Sequence, residues 1–530
     1  MIKCFVRALL LPGLVVLALS CGKNEPAGEV AAPGVERELF AQIGPDTKAS
    51  VTSSGVVSWS SGDQIAVFTS AGVYKTFSLA SVNDGIARFT GVTDEDEVPA
   101  QFAIYPASAL RGYSDGVATI GYSSTYTYSD GAMLAPMVAM IDGSNVVSFR
   151  HLGGMVQVQC AAADIPAEAA QFFLVSNGKK MAGLFYPTVT SGMTVDNSTI
   201  GDNSKVTVSF TNDAAAKNFN VPVPVGYYGS IYAAFADADG NKIVEWQVLT
   251  DVTVERSDMF VRSMPSDLLR VMSFNIRFAH DEESYSPGDG KLWDERKLVV
   301  PSALEKRYFH VMGSQENTTG QIDDILSSLS GYSALGLSNH GQSLSSLGYT
   351  STYETSAIYY KSVVTVLDNG SFDISQTNTR RCNWAKLRYS GHDFYVFNAH
   401  LQVGESAAYA AQRKTQASSI LTEIKKVSGS YPVILTGDFN CWDASADDVV
   451  KYIVDDGTLR DARGDALNPH GPSGTLHYFE ADNPTTHRLD YVFVSNGFAV
   501  QSFWIDNSQQ KNAPAWESDH NPVIVDLSWN

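Results

Sequence analysis

The pattern of apolar residues changes at Met264-Pro265-Ser266, and one fold cannot accommodate both halves. Before this joint, short alternating or β-branched runs recur between clusters of Asn, Asp, Gly and Ser, as at 64–68, 145–149 and 205–210. A period of two places side chains on opposite faces of a sheet. Residues 36–265 are therefore predicted to be all-β, built as sandwiches, with two lobes that break near residue 165. After the joint, continuous apolar strands alternate with helical stretches near 293–309, 318–330, 405–428 and 444–454. In the third stretch Ala417, Ile420, Leu421 and Ile424 recur at helical spacing. Such interleaving predicts a layered α/β domain over 266–530, and 530 residues are more than one core holds.

The first 21 residues read as an address. Lys3 and Arg7 precede an apolar run of about 13 residues, which is too short to cross a bilayer. Its end, Ala18-Leu19-Ser20-Cys21, resembles a bacterial lipoprotein signal. That resemblance implies lipidation at Cys21 and a protein anchored in the cell envelope, at the outer membrane, so the membrane becomes a partner. The plainer alternative is a cleaved secretory signal. Residues 22–35 are polar and rich in Pro and Gly, as in a flexible tether. The remaining Cys160, Cys382 and Cys441 are odd in number and are read as buried thiols.

Charge narrows the function classes. The chain carries 57 acidic and 37 basic residues, a net charge of −20. This argues against a broad basic face for nucleic acid, although a metal ion can meet a phosphate in place of Lys and Arg. Nine of the ten histidines lie after residue 266. The exception, His151, ends an apolar strand with no second ligand type near it and reads as structural.

Polar residues gather at the C-terminal ends of the predicted α/β strands, where such folds build their sites. They are Asn275, Glu316, His400, Asp438 with Asn440, Asp490, and Asp519 with His520. Singly, each is explained as a turn residue or a helix cap. Together they provide hard oxygen donors for a divalent cation and two groups that exchange protons near neutral pH. Strand alternation directs Asp438 and Asn440 to one face.

Seven motifs carry a resemblance over residues 268–530. They are Met272-Ser273-Phe274-Asn275-Ile276-Arg277, Gly313-Ser314-Gln315-Glu316, Glu354-Thr355-Ser356-Ala357-Ile358-Tyr359-Tyr360, Asn398-Ala399-His400-Leu401, Thr436-Gly437-Asp438-Phe439-Asn440, His487-Arg488-Leu489-Asp490-Tyr491 and Ser518-Asp519-His520-Asn521-Pro522-Val523. In this order they resemble the endonuclease/exonuclease/phosphatase superfamily, which implies a four-layered sandwich of two packed sheets flanked by helices. The resemblance also implies roles. Glu316 would bind Mg²⁺ (Mn²⁺ or Ca²⁺ being alternatives), with Asn275 and Asp519 beside it. Asp438 would deprotonate the attacking water, and Asn440 would hold that water or a phosphate oxygen. His400 and His520 would contact the phosphate, oriented by Glu354 and Asp490. In the first half, Trp59-Ser60-Ser61-Gly62-Asp63, Tyr105-Pro106 and Phe149-Arg150-His151-Leu152 resemble the fimbrillin-like modules of Bacteroidetes surface lipoproteins, which implies a spacer or adhesive role.

The departures bear on substrate. Phe309-His310 stands where the family often has Asp. The segments 344–348 and 371–375 lack an Arg and a Trp-Leu-Ser common in secreted bacterial relatives. Abasic-site endonucleases have Tyr in place of His400, and the inositol 5-phosphatase pattern near Asp490 is absent. Residues 266–530 hold 32 acidic and 21 basic residues, which leaves little basic surface for long duplexes. Trp442 and Trp516 could stack a base or simply pack. The expectation is a metal-dependent hydrolase of a phosphodiester, in nucleic acid or a phospholipid head group. Alternatives are a sugar- or inositol-phosphate monoesterase, or an adhesive lipoprotein with an inactive domain.

Overall fold

The computed structural model describes residues 34–43, 59–114, 117–128, 135–177, 179–187, 197–280, 282, 284–375, 380–442, 449–466, 469–480, 487–508 and 515–530. The leader with Cys21, and the tether up to residue 33, lie outside the described residues.

Up to Ser263 the described regular structure is strand, apart from two short 3₁₀ turns. Seven strands close into a barrel, because Val35–Ile43 pairs with Ile86–Thr93 on one side and with Val147–His151 on the other. Phe77, Phe89 and Phe149 fill it, and Trp59 meets Phe89 and Tyr105 edge-on at 5.1 and 5.2 Å. The expected open sandwich is corrected here to a closed barrel: alternation fixes which face is buried, but not whether the edge strands meet. Nor does one break near 165 divide the sheets. Thr125–Thr127 pairs with Lys205–Ser209, and Ala182–Pro187 pairs with Val117–Tyr122, so strands from both sides share sheets. Cys160, Cys382 and Cys441 are free and buried, and His151 is buried.

The second half has two six-stranded sheets. Its strands are β1 (Leu269–Asn275), β2 (Val311–Asn317), β3 (Tyr332–Leu335), β4 (Thr355–Lys361), β5 (Thr365–Asp373), β6 (Arg381–Tyr389), β7 (His392–His400), β8 (Val433–Asp438), β9 (Arg460–Asp461), β10 (Asp490–Val494), β11 (Phe498–Ile505) and β12 (Val523–Trp529). One sheet runs β3-β4-β2-β1-β12-β11 and the other β5-β6-β7-β8-β10-β9. Val271, Val311, Val396, Ile434 and Val525 belong to a core cluster drawn from both sheets. The alternate residues Met272 and Phe274 of β1 instead pack with helices α1 (Trp293–Arg296), α2 (Val300–Glu305) and α3 (Thr319–Ser328). Phe397 and Leu435 of the other sheet pack with the predicted stripe Ala417, Ile420, Leu421 and Ile424 of α4 (Ala407–Val427).

Toward the strand C-termini the filling between the sheets turns polar. Gln315 donates to Asn398 Oδ1 at 2.7 Å, and Asn398 donates to the carbonyls of Ser314 and Ala357 at 2.9 Å. The hydroxyl of Ser273 accepts from the Gly437 amide at 3.1 Å. These bonds hold the sheets in one register directly beneath the site, while Gln315 Oε1 is left without a partner. Gly313 admits the approach: a Cβ there would lie 1.9 Å from Thr436 Oγ1 and 2.6 Å from Asn398 Oδ1.

The halves are joined by buried charge. Arg270 pairs with Asp526 at 2.8 Å through both Nε and Nη2, and neither side chain is exposed. Asp526 also accepts the backbone N–H of Glu245 at 2.9 Å, and Tyr308 donates to Asp237 at 2.8 Å.

Candidate active site

β7 and β8 run parallel with His400 opposite Asp438, and β10 runs antiparallel to β8 with Asp490 opposite Asp438. Three predicted residues thus sit side by side at one sheet end. In the facing sheet, Asn275 ends β1, and Glu316 lies at the end of β2. The strand alternation that buries Val271 and Ile434 between the sheets is what brings these ends together.

Asp438 is the hub. Its Oδ2 accepts from Asn275 Nδ2 at 3.0 Å and lies 3.7 Å from His400 Nε2 and 4.0 Å from His520 Nε2. Its Oδ1 accepts the backbone N–H of Asn440 at 2.9 Å. Each imidazole is held from behind: His400 Nδ1 lies 2.7 Å from Glu354 Oε1, and His520 Nδ1 lies 2.7 Å from Asp490 Oδ2. Asn275 Nδ2 also donates to Glu316 Oε1 at 3.0 Å, and Glu316 Oε2 accepts the Phe278 amide at 2.8 Å. Asn440 spends its carboxamide on the Leu401 carbonyl at 3.1 Å, although the residue still borders the cavity.

Protonation follows from these contacts. Burial works against the His520 cation, but Asp490, Asp519 and Asp438 outweigh it and raise its pKa to about 10. Burial and Arg380 oppose the same change in His400, yet Glu354 and Asp438 still raise it. Burial would raise Glu354, but His400 and Arg380 bring it down to about 2. Asp438 moves the other way, raised by burial and by the nearby Asp490 carboxylate. The result is a carboxylate inclined to take a proton, set between two imidazoles inclined to hold one.

The predicted metal ligands are brought together unequally. Glu316, His400 and Asp438 offer ligand atoms within 4.8 Å of one another, and so do Asp438, Asp490 and His520. Asp519 belongs to neither group; the Arg277 guanidinium stands 3.8 Å from both Asp519 and Glu316. Glu316, Asp438 and Asp519 are oxygen donors of the kind that hold Mg²⁺, Mn²⁺ or Ca²⁺, Glu316 and Asp438 within one group and Asp519 beyond Arg277. Asn275 turns its amide nitrogen to Glu316 and Asp438 and its Oδ1 to the Arg277 amide at 2.9 Å. The donor set therefore fits a hard divalent ion.

Five contributors were not singled out from sequence. Arg380 donates to both Glu354 oxygens at 3.3 and 3.4 Å, from a polar stretch that carries no periodic signal. Arg277 lies within a quoted motif, but nothing in the motif assigns it a role. Arg296 is fully buried and donates to the carbonyls of Ile276 (2.6 Å), Arg277 (3.1 Å) and Glu517 (3.2 Å), tying the two ligand loops together. Gln321, which closes the capping box of α3 with Thr318, also donates to the Arg277 carbonyl at 2.8 Å. The fifth is Tyr478, at the rim.

Glu316, Arg277, Asn440, Tyr478 and Phe479 all have positive φ, from 46° to 62°. Bulky residues held there cost about 1–3 kcal/mol each and persist where surrounding structure over-determines them, as around a site. A cavity of about 440 Å³ opens above these groups, bordered by Arg277 and Arg380 and by the apolar side chains of Phe278, Val403 and Leu476. Trp442 borders it too. Trp516 packs instead against His477, with ring centroids 5.3 Å apart.

The second half is similar to the mannosyl-6-phosphatase of Bacteroides thetaiotaomicron VPI-5482, with 26% identity over 49% of this chain and all of that one, and a TM-score of 0.43. It is also similar to the human Nocturnin catalytic domain with bound sulfate anion, with 19% identity over 50% of this chain and 95% of that one, and a TM-score of 0.40. Nocturnin of Drosophila melanogaster is 19% identical over 216 residues, which are 40% of this chain, and the chain spans 30% of that curated relative's length. The chain is multidomain, and its residues 272–520 match the Endonuclease/Exonuclease/phosphatase family.

Proposed function

We propose that the C-terminal domain is a divalent-metal-dependent phosphoesterase that hydrolyses a phosphodiester by attack of water. The convergence of both carboxylate-backed imidazoles on Asp438 carries this reading. Glu316, Asn275 and Asp519 would hold Mg²⁺, with Mn²⁺ or Ca²⁺ as alternatives. When bound, the ion would neutralise charge on the phosphate. Asp438 takes the proton of the attacking water. The His520 and His400 imidazoliums donate hydrogen bonds to phosphate oxygens as negative charge develops, and one of them returns a proton to the leaving oxygen. Glu354 and Asp490 hold each ring with its Nε2 directed at the centre. The helix–sheet–sheet–helix layering expected of the family agrees with the separate inner and outer core clusters.

The test is hydrolysis of bis-p-nitrophenyl phosphate and p-nitrophenyl phosphate, first with EDTA and then with Mg²⁺. Diester cleavage that needs Mg²⁺ and is lost in His400→Ala and Asp438→Ala is expected. Preference for the monoester would shift the reading to a sugar- or inositol-phosphate monoesterase. No turnover, together with no Glu316-dependent Mg²⁺ heat by calorimetry, would favour an inactive domain on an adhesive protein. We further propose that the first half is a fimbrillin-like spacer and that Cys21 carries a lipid anchor in the outer membrane. The signal-like residues 1–21 support this, and equal palmitate labelling of the native chain and Cys21→Ala would refute it.

A further inference from the structure

The turn His477–Glu480 is closed by the Glu480 amide donating to the His477 carbonyl at 2.9 Å, and its two central residues, Tyr478 and Phe479, have φ of +55° and +58°. Such turns normally take Asn-Gly, because a side chain at positive φ is strained. Phe479 explains its own place: it is 4% exposed and packs edge-on against Tyr285 and Trp516, at 5.6 and 5.9 Å. Tyr478 has no such explanation. It is 47% exposed, its hydroxyl bonds nothing among the described residues, and its ring borders the mouth of the cavity that contains His520 and Asp438. A Gly at 478 would relax the turn and leave Phe479 buried, so folding does not account for the tyrosine.

The rest of the mouth agrees. Phe278, Val403, Trp442 and Leu476 border the same cavity, so a charged floor is topped by an apolar, partly aromatic rim. A phosphate engages only the floor. Phe278, Val403 and Leu476 offer no hydrogen-bond group and Trp442 only its unpartnered indole N–H, too few for the several hydroxyls of a sugar, and Arg277 and Arg380 at the border repel a quaternary ammonium, whereas a flat ring needs only faces to stack on. Resting on the phosphoesterase reading above, we propose that Tyr478 stacks on a planar ring carried by the phosphoester, so that the substrate is a nucleotide-type ester rather than a phospholipid head-group ester.

The experiment compares three chromogenic esters on the full chain with Mg²⁺: thymidine 5′-(p-nitrophenyl phosphate), methyl p-nitrophenyl phosphate and p-nitrophenylphosphorylcholine. The native chain should show a KM about tenfold lower for the thymidine ester than for the methyl ester, the size of one stacked base. Tyr478→Gly, which relieves the strained φ and so tests recognition apart from folding, should abolish that ratio. Tyr478→Phe, which keeps the ring, should retain it. Equal KM values in the native chain, a ratio that survives in Tyr478→Gly, or preference for the choline ester would overturn the proposal while leaving the phosphoesterase reading intact. Failure of the native chain to cleave any ester would overturn both.

Discussion

Asn275 donates from one carboxamide nitrogen to Glu316 Oε1 and to Asp438 Oδ2, 3.0 Å each, so a neutral side chain bridges carboxylates from the two facing sheets. Asn275→Asp would replace two donors with a third negative charge. Hydrogen bonds to charged groups are worth ~1.5–3 kcal/mol, so kcat/KM should fall about 10–100-fold or more. Steady-state kinetics at saturating Mg²⁺ check this. A value within about threefold of the native chain would show that the bridge is dispensable.

Arg296 should matter without touching substrate. Its guanidinium satisfies carbonyls of both ligand loops and pairs with Glu282 at 3.2 Å. Removing one partner of a buried, hydrogen-bonded charge costs ~3–5 kcal/mol, and Arg296→Met should lower the unfolding midpoint accordingly. Arg296→Lys keeps the charge but not the fork. It should fold better than the Met variant yet bind Mg²⁺ more weakly than the native chain, by calorimetry.

Gly313→Ala should force the sheets apart, because the new Cβ meets Thr436 and Asn398 at distances no side chain tolerates. Overpacking of this kind costs ~1–3 kcal/mol or more. Adding Thr436→Ala removes the nearest atom, so the double variant should recover part of the loss in urea denaturation. Simple additivity would mean that the two residues do not couple.

Acid sensitivity should trace in part to His310. Its Nδ1 accepts the Arg270 amide at 2.9 Å, while burial, Lys361 and Arg270 push its pKa down to about 3. The unfolded chain binds this proton near the ordinary value of about 6.5, the folded chain only near 3. Stability is therefore present above about pH 6.5 and lost as pH falls through that window. His310→Gln keeps an acceptor without titrating, so its melting temperature should drop less than the native chain's between pH 7 and pH 5. Other groups that titrate in this range, such as His477, cancel in the comparison.

What sequence reveals here depends on whether a feature is local. β8 was legible because all six of its residues are buried, and the apolar Val433-Ile434-Leu435 leads through Thr436 and Gly437 to Asp438. The inward stripe of α4 was legible from its spacing. β5 was not: it is an edge strand with five residues exposed and four half-buried, and nothing buried imposes a period on it. Closure of the barrel and the exchange of strands between lobes depend on pairings a hundred residues apart, as between Ala41 and Val147. At the site, the carboxylates and histidines could be placed by strand ends. Arg380 and Tyr478 reach it from loops, where no periodicity marks direction.

The Glu245 amide that reaches across to Asp526 makes one carboxylate answer to both halves of the chain. Heat should therefore melt the two halves in a single calorimetric transition instead of two. Severing the chain at residue 265 would strip a donor from a buried anion and uncover the face that the strand Lys242–Val254 shields. The β-rich half is thus bolted to the half that carries the cleft, so that any grip on the former would also set the direction in which the cleft faces.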